Sequence, residues 1–264
     1  MVSAAALPKD DQVSNLRKLF AASEIPNDPK AWDQAWIDST TPWDSSRPQP
    51  ALVELLQGAH DADTKVPDLL GNQVQISQVI PKGNGLAVIP GCGRGYDAKV
   101  FAERGLTSYG VDISSNAVAA ANKWLDDQNL ALNLKSKVNF VEEDFFNLGT
   151  EKSATSALSK AGLVSLAYDY TFLCAIPPSL RSAWAETYTR LLAKDAILIS
   201  LVFPIHGDRS GGPPFSISPE LVREMLGSQK NADGSEAWKE LAELKPKGAE
   251  TRPEVERVMI WRRL

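Results

Sequence analysis

Residues 86–97 read LAVIPGCGRGYD, and this stretch decides the architecture. Leu86–Pro90 is a short apolar run bounded by glycines, the pattern of a strand buried on both faces. Gly91-Cys92-Gly93-Arg94-Gly95 follows as a loop, and the chain from there to Arg104 reads as a helix ended by Gly105, a residue suited to helix termini. Working outward, TSYGVD (107–112) is a second strand, and Ser114 or Ser115 caps a helix running to about Gln128. KVNFVEED (137–144) and GLVSLAYDY (162–170) are the third and fourth strands. A helix over 178–192 leads to the fifth, AILISLVF (196–203). A Pro/Gly loop, a helix over 218–226 and a closing edge strand, ERVMIWRRL (256–264), complete the pattern. Strands alternating with helices predict an α/β fold, a mostly parallel sheet with helices on both faces. Ligands of such sheets bind beyond the strand carboxyl ends, where the strand order switches. The residues there are 91–97, Asp112, Asp144, 169–171 and Phe203 onward.

Before this core lie segments of different character. Residues 11–22 and 30–38 have helical spacing, and Trp32 and Trp36, four apart, share a face. Trp43 sits in the turn-rich stretch 40–50, and a helix resumes over 51–57. Residues 58–84 are polar and broken by Pro67, Gly71, Pro81 and Gly83, with room for one helix.

Composition removes several function classes. In 264 residues, 43% are hydrophobic and 23% charged, which is enough apolar surface to exclude a disordered chain. The net charge of −5, with no Lys/Arg run, argues against nucleic acid. Two cysteines and two histidines supply neither a disulfide framework nor a zinc site, so no metal is expected. No stretch approaches the roughly 20 apolar residues of a spanning helix, and no secretory signal is visible at the N-terminus. A soluble, cytoplasmic monomer without membrane contact is expected.

The glycine loop lets a ligand approach the backbone, and Asp112, about twenty residues on, can accept from ribose hydroxyls. A tight turn with a solvated acid would leave the same trace. The spacing is G-x-G-x-G rather than the dinucleotide G-x-G-x-x-G, and Asp97 stands at the start of the following helix. A pyrophosphate placed against that helix would be repelled. S-adenosylmethionine (SAM) carries an ammonium and a sulfonium, which suit an acid, and Arg94 can serve a ligand carboxylate. A P-loop and a G-x-S-x-G elbow are both absent from the sequence.

At this point the motifs combine. VIPGCGRGYD, YGVDIS, VEEDFF, YDYTFLCAIPPSLRSAWAE and FPIHGDRSGGPPFSIS, with W-D-Q-A-W-(x)6-W-D upstream, resemble the thiol/halide methyltransferase branch of the thiopurine methyltransferase (TPMT) family. The resemblance implies a Rossmann-like class I methyltransferase with a seven-stranded sheet, a single domain with an N-terminal helical cover (1–57) and a core (84–264). It implies SAM as cofactor and S-adenosylhomocysteine (SAH) as product. Gly91 would touch the methionine portion, Asp112 the ribose, and Asp144 with Phe145 the adenine. Tyr170 would line the pocket, and Trp32, Trp36 and Trp43 would close over it. Cys92, Gly93, Asp97 and Ile113 complete the expected cofactor set. Segments 58–84 and 150–162 are longer than the family spacing, and 227–253 reads as an added surface excursion.

The residues themselves leave alternatives beside these roles. The tryptophans also suit plain helix packing, Asp144 a cap or a solvated acid, and Cys92 and Cys174 buried fillers. A cation over an aromatic face gains about 0.5–2 kcal/mol, which favours a sulfonium under three tryptophans. No catalytic dyad is evident, as expected if a thiol, sulfide or halide acceptor is already anionic. Thr171, Phe172 and Phe203 are acceptor-side candidates by position, and His206 or Asp208 would assist a neutral thiol. O- or N-methylation of a specialised metabolite and a non-catalytic SAM-binding module are the competing readings.

Overall fold

The computed structural model describes residues 8–154, 156–205, 207 and 211–264. Its elements in order are α1 (Lys9–Ala21), α2 (Pro29–Ile37), α3 (Pro50–Leu56), β1 (Lys65–Pro67), β2 (Gln73–Gln75) and α4 (Ile76–Val79). The core follows with β3 (Leu86–Pro90), α5 (Tyr96–Glu103), β4 (Thr107–Asp112), α6 (Ser115–Asp127), α7 (Leu132–Lys135) and β5 (Val138–Glu142). Then come α8 (Ala157–Ala161), β6 (Val164–Tyr170), α9 (Arg181–Leu191), β7 (Leu192–Val202), α10 (Pro219–Gly227), β8 (Trp238–Leu244) and β9 (Arg257–Arg263).

The main sheet has seven strands in the order β5-β4-β3-β6-β7-β9-β8. The first five are parallel, and β9 runs antiparallel to both β7 and β8. The chain starts at β3, works outward to β5, and returns to β6 on the other side of β3. The switch in strand order therefore lies between β3 and β6, where a crevice opens at the carboxyl ends.

Side chains alternate across this sheet with the period of two that a strand imposes. Val88, Ala167, Leu198, Met259 and Trp261 enter one apolar cluster together with Trp184 and Tyr188 of α9 and Leu226 of α10. Their neighbours Ala87, Ile89, Leu166, Ile197, Ile199 and Ile260 enter the other, with Leu52 of α3 and Phe101 of α5. Burying a large apolar side chain is worth about 1.5–3 kcal/mol, so both faces must be covered by helices.

Three sequence expectations need correction. The strand read over 256–264 as an edge is interior, because β8 pairs on its outer side. Val258, Met259, Ile260 and Trp261 are all buried, as a strand covered on both faces requires. The segment 227–253 is not a surface excursion throughout, since it supplies β8, the true edge. WKELAEL hides its strand character because Lys239, Glu240 and Glu243 blunt the exposed edge with charge. Arg223 of α10 satisfies the two glutamates at 2.8 Å and 2.5 Å. Finally, 58–84 holds a two-stranded hairpin (β1–β2) besides the short helix α4. Its turn is built on Asp68, which accepts from the backbone N–H of Leu70 and Asn72.

Candidate functional site

The loop after β3 is shaped by glycine where nothing else fits. Gly91 and Gly95 both have positive φ (58° and 76°). A Cβ on Gly91 would lie 2.7 Å from the Phe172 ring, and one on Gly95 would collide with Phe140. Above the loop stand two indoles, 3.5 Å (Trp36) and 3.7 Å (Trp43) from where a Gly93 Cβ would be.

Asp112 ends β4 beside this loop. One carboxylate oxygen accepts from the Gly93 N–H at 3.1 Å and the other from the Ser114 N–H at 3.0 Å. Burial nevertheless pushes its pKa up to about 6. Ser114 is the N-cap of α6. Its hydroxyl donates to Asp33 of α2 at 2.6 Å, and Asp33 also accepts from the N–H and side-chain amide of Asn116. The Ser114 hydrogen bond holds the Asp33 carboxyl below its usual range. A carboxylate at a helix N-terminus is favourable, so α2 is fastened to the residue pair next to Asp112.

That clamp carries the tryptophans. Trp32 and Trp43 meet edge to face at 5.7 Å, Trp36 and Trp43 at 6.1 Å, and Phe20 of α1 joins Trp32 at 4.6 Å. The Trp32 indole N–H donates to Asn27 at 2.8 Å. Arg94 lies over Trp36 at 5.4 Å and pairs with Asp44 at 2.5 Å, to which the Tyr96 hydroxyl also donates. These contacts show the packing role expected of the tryptophans.

After β5, Asp144 caps a 3-10 turn by accepting from the Phe146 N–H at 3.0 Å. Phe145 is buried against Phe172 and Tyr188, each at 4.9 Å. At the tip of β6 the buried Asp169 accepts from Trp184, Tyr188 and the Leu173 N–H at 2.7, 3.0 and 3.1 Å. It fixes the turn that presents Tyr170, Thr171 (φ 58°) and Phe172. Burial pushes the Tyr170 hydroxyl up to about 12.

These parts line one cavity of about 280 Å³. Trp32, Trp36, Trp43, Gly91, Gly93, Asp112, Ile113, Asp144, Phe145, Tyr170, Thr171, Phe172 and Phe203 all face it. Two expected residues do not. Cys92 and Asp97 line an adjoining cavity instead, with Asp97 accepting from the Gln49 N–H at 2.8 Å. Burial pushes the Cys92 thiol up, away from a reactive thiolate. Cys174 lies in the wall of the first cavity. His206 and Asp208 fall outside the described residues. Among the described residues no cluster of metal-ligating side chains occurs, and no helix is long and apolar enough to cross a membrane.

Arg252 was missed by sequence reasoning. It lines both cavities, stacks on Phe203 at 3.8 Å and donates to the Tyr170 hydroxyl at 3.0 Å. Its partner Glu256, with a fully buried side chain, takes the guanidinium at 2.6 Å and the Arg252 N–H at 2.9 Å. No local motif announces this arginine, which reaches the site from a loop fifty residues after Val202.

Comparison with known proteins places this geometry. Residues 62–263 match the model of the family described as thiopurine S-methyltransferase (TPMT). Probable thiol methyltransferase 2 of Arabidopsis thaliana is 31% identical over 218 residues, 83% of this chain and 80% of that protein. Thiocyanate methyltransferase 1 of Brassica oleracea is 32% identical over 195 residues, covering 74% and 70%. Among solved structures, the 1,6-didemethyltoxoflavin-N1-methyltransferase of Burkholderia thailandensis, bound to its substrate and SAH, aligns over 99% of this chain and 93% of its own. Its TM-score is 0.54 at 18% identity. The magnesium protoporphyrin IX methyltransferase of Synechocystis PCC 6803, with bound SAM, gives 0.53 at 16% identity over 99% and 100%. At these identities the structures establish the fold, and the fold is that of the class I methyltransferases.

Proposed function

The chain belongs to the thiopurine S-methyltransferase family, and from that premise we propose that it is a SAM-dependent methyltransferase acting on a small soft nucleophile. A thiol or hydrosulfide is the leading acceptor, with small anions such as thiocyanate or halide as further ones. One observation carries the reading. A single cavity is lined by a half-buried carboxylate, three tryptophans and an aromatic wall bearing a guanidinium.

The residues present fit this cofactor. The carboxylate of Asp112 keeps acceptor capacity beyond its two backbone bonds, which suits vicinal ribose hydroxyls. Asp144, Phe145 and Ile113 supply a mixed apolar and polar wall for adenine. Gly91 and Gly93 open the backbone beneath the tryptophans, whose faces favour a sulfonium. When bound, SAM supplies a methyl group whose bond to sulfur breaks with the electron pair returning to that sulfur, as a bond to the acceptor forms.

The leaving thioether is neutral, so this chain needs no general acid. An anionic acceptor needs no strong base either. What the chain provides is alignment and removal of water. Tyr170 remains a neutral phenol at physiological pH, so its proton is available to an anion. Arg252 uses Nε and Nη2 on Glu256 and Tyr170, and among the described residues Nη1 has no partner. Phenol and guanidinium together hold an anion against the Phe203 and Phe172 rings. No nucleic acid enters this reading, and cytoplasmic residence as a monomer is part of it.

The test is SAH formation from SAM with hydrosulfide, an aromatic thiol and iodide in parallel. Turnover with at least one is expected, and the ranking reports the size and polarity of the acceptor side. Tight SAM binding with silence on all three would overturn the acceptor class.

A further inference from the structure

Arg252 reaches the site on the loop between β8 and β9, and the loop is held at both ends. At the β9 end Glu256 takes the guanidinium, and the Val255 carbonyl accepts from the Ile205 N–H at 3.0 Å. At the β8 end the anchor is Glu54 of α3. Its Oε1 accepts from the Lys247 N–H at 2.8 Å and its Oε2 from the Gly248 N–H at 2.5 Å. The His60 Nε2 lies 3.0 Å from Oε1 and holds the carboxylate in place. The His60 and Glu54 side chains are only 3% and 11% exposed.

This anchor differs from the ion pairs on the outside of the loop. Arg47–Glu250, Lys245–Glu254 and Lys247–Asp63 join side chains that are about half exposed or more, and water screens such pairs until they contribute little. Glu54 is shielded, and it stands on a helix whose Ala51, Leu52 and Leu55 are fully buried, so the core sets its position. Gly248 belongs to the same fit, because a Cβ there would lie 2.7 Å from Oε2. One turn then leads to Arg252. The Gly248 carbonyl accepts from the Thr251 N–H at 3.0 Å and from the Thr251 hydroxyl at 2.6 Å, and Arg252 is the next residue. The N-cap of α3, Gln49, reaches the other end of the loop by donating to Glu256 at 3.4 Å.

We propose that Glu54 is a positioning residue for the methyl acceptor: by clamping the backbone at Lys247 and Gly248 it sets where Arg252 stands over Phe203 and beside Tyr170. This rests on the reading of Arg252 as the cation that meets an anionic acceptor. Glu54 lines neither cavity, so it acts through the loop and not by contact with donor or acceptor. Charge dictates the kinetic signature. The acceptor is most strongly drawn to the guanidinium before its negative charge is spent on the methyl group. A displaced Arg252 therefore weakens acceptor binding more than it slows the transfer.

Steady-state SAH formation with hydrosulfide, an aromatic thiolate and iodide tests this, beside calorimetry with SAH. Glu54→Gln replaces one of the two accepting oxygens by an N–H donor. It should raise the acceptor KM about fivefold and change kcat and SAH affinity by less than about twofold. Gly248→Ala alters no charge but presses on the same carboxylate, so it should shift KM in the same direction, and it carries the test if Glu54→Gln does not fold. In an Arg252→Ala background either variant should add no further rise in KM, because both act through that one group. An unmoved KM in both variants, or a rise just as large once Arg252 is gone, would overturn the proposal while the acceptor reading stands. If Arg252→Ala itself left KM unmoved, or wild type were silent with all three acceptors, both would be overturned.

Discussion

Asp112 and Arg252 face the same cavity and are held in contrary ways. Asp112 is fixed by backbone N–H groups of Gly93 and Ser114, the first from the loop packed against it and the second two residues away. Asp144, after β5, likewise takes its own turn's N–H. Arg252 depends on side chains. Glu256 grips it, Phe203 stacks on it from just past β7, and Tyr170 meets it from the end of β6. The loop carrying it is tied to α3, where Glu54 accepts from the N–H groups of Lys247 and Gly248. Backbone anchors tolerate exchange of neighbouring side chains, whereas side-chain anchors change with each one. A donor side of the first kind and an acceptor side of the second suit an enzyme whose donor is constant and whose acceptors vary.

If that contrast is real, the largest single effect should come from Asp112→Ala. SAH affinity is expected to fall roughly ten- to hundredfold, because charge-assisted bonds to the ribose are lost. The acceptor KM should hardly move. The same acid predicts a pH signature. Its folded pKa, about 6, lies above the ordinary carboxyl value of 3.8, so the folded state takes up a proton between those values that the unfolded chain does not. The linkage then runs toward greater stability as pH falls through that window. Asp97 and Asp169, raised to about 6 by burial, add to it. Between pH 7 and 5 these three acids should therefore not lower the Tm of the ligand-free protein, while SAH affinity declines as Asp112 protonates. Titration calorimetry beside thermal melts separates the two trends, and a pH-independent SAH affinity would remove Asp112 from the ribose.

Arg252→Ala should act on the other side. We expect kcat/KM for an anionic thiol to drop roughly tenfold, with SAH affinity nearly unchanged. Because Glu256 would be left buried without its cation, Tm should also fall by roughly 5 °C. Adding Glu256→Gln should restore much of the Tm and none of the activity. Recovery of both would make Arg252 a structural residue and break the contrast.

The same difference in anchoring explains what could be read in the sequence. Gly91, Gly93, Asp112 and Asp144 sit at strand ends whose spacing follows from the β-α-β repeat, so their convergence was legible. The tryptophans were legible because three of them crowd twelve residues. Arg252 was not, since its place depends on β9 entering the sheet between β7 and β8. Reading β9 as an edge strand and 227–253 as an excursion concealed that insertion. Asp97 was found by its helix position, but a linear motif could not show that it faces a different cavity from Asp112.

Trp36→Ala probes the roof that spans the two sides, and its expected effect is the smallest. Trp36 packs on Trp43 and under Arg94, so packing and recognition of a cation are both open to it. SAM and SAH differ in the charge on sulfur, and this separates the two. An aromatic face that stabilises the sulfonium should be worth about 0.5–1 kcal/mol more to SAM than to SAH. The variant should therefore weaken SAM about threefold more than SAH in equilibrium binding without acceptor. Equal loss for both ligands would assign Trp36 to packing of α2 alone. The donor side would then owe its selectivity to the carboxylates beneath the roof.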